Sequence, residues 1–93
     1  MRNHKAIRAN SFKHSDPCHV RAAARWREGF LDLLAGRPID VKAFDAMPRG
    51  AQYDYEQGRL MACEARRRGL PLRWPESVVL PKALRPLIYR GAC

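Results

Sequence analysis

The chain has 93 residues, 46% of them apolar, and its 18 Lys and Arg against 9 Asp and Glu give a net charge of +9. That length suits one small domain with a modest core, and the charge favours polyanionic partners: nucleic acid first, then an anionic membrane surface or an acidic protein. No apolar run is long enough for a signal peptide or a membrane span. Three cysteines, at 18, 63 and 93, form no C-x-x-C pair, so a disulfide scaffold is not expected and a reducing cytoplasm is the default compartment.

Residues 1–15 carry four basic residues and no acid, with no repeating apolar face. They read as a basic arm able to order on a polyanion. Residues 16–93 read as one helical domain. Asp16-Pro17 is a helix start, with Asp16 as N-cap and proline at the first helical position. Val20, Ala23, Trp26, Phe30, Leu33 and Leu34 then recur at helical spacing, and Gly36 ends the run. The first helix is expected from about 17 to 35, with Arg21, Arg25, Glu28 and Asp32 on its solvent side.

Pro38 prevents simple continuation, and Asp40 caps an expected short turn near 40–47 whose Phe44 and Met47 plug the end of a helix pair. The central helix is expected at about 49–68, between Pro48 and Gly69. Ala51, Tyr55, Gly58, Ala62 and Ala65 place a seam of mostly small residues on one face, where the Trp26–Phe30–Leu34 side of the first helix can pack closely. Tyr53 and Leu60, with Cys63, point the other way. The expectation is a sandwiched helix, with the segment after Gly69 wrapping over the Tyr53–Leu60 side. That segment contains Pro71, Pro75, Pro81 and Pro86 but is too apolar for a disordered tail. Ser77 to Leu80 reads as a short extended piece and Pro81 to Tyr89 as a short helix. The architecture is therefore all-α: two main antiparallel helices, a connecting turn, and a proline-rich C-terminal segment packed over them.

Chemistry-bearing constellations are few. His14, Cys18 and His19, with Cys63 or Cys93, supply zinc-ligand atoms but match no finger or ribbon spacing, so no metal is expected. Asp54 lies beside the inner seam, where it is expected to join a polar cluster with an arginine of the first helix. No phosphate-cradling glycine loop, nucleophile elbow or His-Glu-x-x-His occurs, so the chain reads as a non-enzyme without cofactor. Arg66-Arg67-Arg68, followed by Arg73 and preceded by Arg59, is the strongest charge feature. Three consecutive helical arginines fan through about 200° and cannot all face the core. Guanidinium groups grip phosphate in bidentate fashion, which suits a nucleic-acid backbone. Helix-dipole stabilisation accounts for one or two of them.

Gly29-Phe30, Ala35-Gly36-Arg37, a loop with Pro48, and a helix bearing Tyr55, Gly58 and Ala62 resemble the bacterial ribosome modulation factor family, a grouping that includes the CrpP-like small proteins. The likeness covers about residues 22–65. Arg59 stands where that pattern has a second aromatic, Tyr55 takes the place of a tryptophan, and the loop lacks the usual Pro-Tyr pair. The resemblance implies a two-helix basic protein that binds small-subunit ribosomal RNA near the mRNA exit region and helps idle ribosomes pair. It implies that Arg37 and the surface around Arg59, Arg66, Arg67 and Arg68 contact RNA phosphates; the charge cluster itself adds Arg73. The alternative is a phage- or mobile-element-type protein inhibitor of host or defence machinery with an acidic target. A weaker one is the drug modification associated with the CrpP-like branch. No membrane and no small-molecule cofactor enter the reading.

Overall fold

A computed structural model of the protein describes residues 16–88. The basic arm at 1–15, the Tyr89 end of the last expected helix, and His14 and Cys93 lie outside the described residues. Helices account for most of the described chain and none of it is strand.

Helix α1 spans Pro17–Leu34, and the Asp16 carboxylate caps it by accepting from the Cys18 amide at 2.9 Å. Its end is a left-handed glycine turn. Gly36 has φ +74°, its amide donates to Leu33 O, and the Arg37 amide reaches back to Asp32 O. Helix α2 spans Val41–Asp45, with Asp40 accepting from the Ala43 amide. Helix α3 spans Arg49–Arg68 and ends in the same way, with Gly69 at φ +71° and the Leu70 amide bonded to Ala65 O. These boundaries match the signals of Asp16-Pro17, Gly36, Asp40 and Gly69, because caps are short-range chemistry.

The core forms where α1 meets α3. Ala22, Ala23, Trp26 and Phe30 of α1 are buried with Met61, Ala62 and Ala65 of α3. Two glycines make the close approach. A Cβ built on Gly58 would lie 2.0 Å from Trp26 O, and one on Gly29 would lie 2.1 Å from Tyr55 O. Side chains at either position would force the backbones apart.

After Gly69, Trp74 enters this core and sets its ring edge-on to Phe30, with centroids 5.4 Å apart. The Trp74 indole N–H donates to Val78 O, and Arg27 Nε of α1 donates to Trp74 O. Residues Lys82–Leu87 form a 3-10 helix, η1, that buries Leu84 and Leu87 beside Leu80. Residues 77–80 form no strand.

Three expectations need correction. The segment after Gly69 does not cover the Tyr53–Leu60 side: Tyr53 remains 43% and Leu60 49% exposed. Trp74, Leu80, Leu84 and Leu87 bury themselves with the Met61–Ala62–Ala65 face, the one already joined to Trp26 and Phe30. Asp32 is not on a solvent face but half-buried against α3. Finally, Cys18 is disulfide-bonded whereas Cys63 is a free, exposed thiol.

Candidate nucleic-acid interface

The six arginines singled out from sequence fall into two groups. Arg37 and Arg59 belong to a clamp between the end of α1 and the middle of α3. Arg37 Nε donates to Asp32 Oδ1 at 2.9 Å, and the Tyr55 hydroxyl donates to Asp32 Oδ2 at 2.6 Å. Arg59 Nη1 donates to Arg37 O at 3.0 Å and lies 3.5 Å from the Tyr55 hydroxyl. The motif Ala35-Gly36-Arg37 thus turns the chain so that one residue is held by Asp32 through its side chain and by Arg59 through its carbonyl. Phe44 of α2 meets Tyr55 edge-on, at 6.2 Å between centroids. Gln52 Nε2 donates to Phe44 O and fixes α2 against α3.

Charge in this clamp is balanced by position. Burial pushes the Asp32 carboxyl up, but hydrogen bonds from Tyr55 and Arg37 and the charges of Arg37 and Arg59 outweigh it, so its pKa falls below 3.8. Burial and the bond to Asp32 push the Tyr55 hydroxyl above its ordinary 10.0, keeping it a donor. The Arg37 guanidinium remains largely solvent-facing, with 62% of its side chain exposed.

Arg66, Arg67, Arg68 and Arg73 form the other group, all exposed, at the C-terminal end of α3 and just past it. Among the described residues, Glu64 is the single carboxylate that engages them. Arg67 donates to both its oxygens, and Arg68 Nε to one of them at 3.0 Å. The Arg67 hydrogen bond first, then the Arg68 bond and the charges of both, hold the Glu64 pKa below its ordinary value against the opposing effect of desolvation. Arg66 and Arg73 have no carboxylate partner among the described residues. The end of α3 therefore keeps a surplus of positive charge beside helix carbonyls that carry the negative end of the helix dipole.

No protein-family model, curated protein or solved structure matches this chain.

Asp54 does not join an arginine of α1 as expected. It lies half-buried beside the indole of Trp26, where burial raises its pKa above 3.8 and the Trp26 N–H opposes that rise. No cluster of three His, Cys, Asp or Glu able to hold a metal occurs among the described residues. No described helix is long and apolar enough to cross a membrane. Sequence reasoning missed a groove between the first halves of α1 and α3, lined by Arg21, Arg25, Arg49 and Tyr53 among others. Only the fold brings residues so far apart in sequence together.

Proposed function

We propose that this chain is a small, non-enzymatic, basic regulator that binds ribosomal RNA and modulates translation, as its likeness to ribosome modulation factors implies. The observation that carries the reading is the end of α3, where four exposed arginines lie within eight residues and only Arg67 and Arg68 are engaged by a described carboxylate, Glu64. Guanidinium groups in such surplus match closely spaced phosphates. Arg37 and Arg59 would extend the contact from the clamp. The order of contacts, Asp32 with Tyr55 and Trp26 with Gly58, supports two antiparallel helices as the scaffold. Burial of Trp74, Leu80 and Leu84 supports a proline-rich segment packed over them. The proposed place of action is the cytoplasm, with neither cofactor nor membrane involved.

The test is cosedimentation with purified ribosomal subunits and titration of naked ribosomal RNA across a salt series. Replacing Arg66, Arg67 and Arg68 together with Gln keeps helix propensity and removes three charges. The expected result is weaker binding and a log–log salt slope shallower by about two to three units. Cosedimentation indifferent to the triple change would overturn the surface assignment.

A second reading, a protein inhibitor with an acidic target, draws on the exposed Tyr53 and Leu60 of α3. It is favoured if the unmodified protein binds neither subunits nor RNA.

A further inference from the structure

A groove of about 1300 Å³ opens where α3 begins, at the opposite end of that helix from Arg66–Arg68. Arg21 and Arg25 of α1 and Arg49 of α3 line it, and the half-exposed Tyr53 stands one helical turn beyond Arg49. Gly50 and Ala51 keep the intervening surface low. A Cβ on Gly50 would meet nothing within 4 Å, so the space beside the first turn is open. Arg21 and Arg49 have no carboxylate partner among the described residues.

Three carboxylates also border this space, and they differ in availability. Glu28 is held by Arg25 at 2.8 Å. Asp54 is half-buried against Trp26, with burial favouring its neutral form. Glu76 stands on the wall formed by the C-terminal segment, with Val79. The α1 and α3 walls near Tyr53 thus combine unpaired cations with an exposed aromatic ring and a low, small-residue surface. Duplex RNA offers phosphates but hides its base faces, whereas an unpaired strand offers both.

We propose that this groove binds an unpaired RNA strand, with a base stacked on Tyr53 and the flanking phosphates on Arg21 and Arg49. The inference rests on the RNA-binding reading above and adds a second contact surface at the other end of α3. The first turn of α3 has no side-chain cap, so its amides remain available to the same phosphates.

The experiment compares a short oligouridylate with an RNA duplex of equal length, using the full chain. Tyr53→Ala should weaken oligouridylate binding roughly five- to a hundredfold and leave duplex binding within about twofold. Tyr53→Phe should retain binding, because it keeps the ring face. Gly50→Glu places a carboxylate in open groove space at a helix start, where it suits the dipole. It should weaken oligouridylate binding without lowering the melting temperature. Oligouridylate binding unmoved by Tyr53→Ala and Gly50→Glu, but lowered by the Arg66–Arg68 change, would overturn the groove and leave the RNA-binding reading intact. An unmodified protein that binds neither RNA would overturn both.

Discussion

A Cβ placed on Gly58 would lie 2.0 Å from the carbonyl oxygen of Trp26, so the two main helices meet there backbone against backbone. The nearest atoms are main chain rather than the flexible tip of a side chain, and they have nowhere to move unless the helices separate.

Gly58→Ala should therefore destabilise the fold by about 1–3 kcal/mol, and Gly58→Leu by at least as much. Gly50→Ala is the matched control. Its Cβ enters open space, so it should be neutral or stabilise by about 0.4–1 kcal/mol. Chemical denaturation of the three variants checks this, and equal midpoints for Gly58→Ala and the parent would mean the helices do not touch there.

Tyr55→Phe removes the hydroxyl that donates to Asp32 at 2.6 Å but leaves Arg37 in place. A hydrogen bond to a charged acceptor stabilises by about 1–3 kcal/mol, and that is the loss expected at neutral pH. Asp32 has a folded pKa below 3.8, so its contribution is present above that value and disappears as pH falls through the folded pKa. The gap between Tyr55→Phe and the parent should accordingly narrow on acidification. Stability curves at neutral pH and below the carboxylate range test it, and a constant gap would exclude the charged bond.

Asp54 carries the opposite sign. Its folded pKa is raised by burial, so the folded state holds the proton more tightly than the unfolded chain does. Its favourable contribution is present below 3.8 and is lost as pH rises through the folded value. Asp54→Asn keeps an acceptor for the Trp26 indole and removes the charge. It should be more stable relative to the parent at pH 7 than at acid pH. An advantage that is absent at neutral pH would show that the carboxylate is better solvated than its position implies.

Glu64 engages Arg67 and Arg68, and under the proposed function it competes with phosphate for both. Glu64→Gln should tighten RNA binding roughly two- to fivefold at low salt, the scale of an exposed ion pair. The helix should change little. Weaker binding after this change would mean Glu64 orients the arginines rather than masking them.

Much of this arrangement is legible in the chain because it is local. Asp16-Pro17, Gly36 and Gly69 set helix ends through chemistry spanning a few residues. The exposure of Arg66–Arg68 follows from helical geometry, and their link to Glu64 from its three- and four-residue spacing to Arg67 and Arg68. Periodicity misplaces what depends on partner choice. Tyr53 and Leu60 look as coverable as Met61, but Trp74 inserts beside Phe30 and draws the last segment to one face only. Asp32 looks solvent-facing on its own helix, yet α3 brings Tyr55 to it. The groove is invisible for the same reason, since Arg21 and Arg49 become neighbours of one space only once the helices cross.

The length of α3 also fixes a distance. With a rise of about 1.5 Å per residue, the α3 axis carries Arg49 and Arg67 about 27 Å apart. The helix itself keeps this span constant, and the Gly58 contact with the Trp26 backbone holds α1 in register with it. Helix α3 is then a ruler with cations at both ends. A polyanion whose charges are spaced too closely or too widely fails to engage both ends at once, and is turned away by length rather than by chemistry.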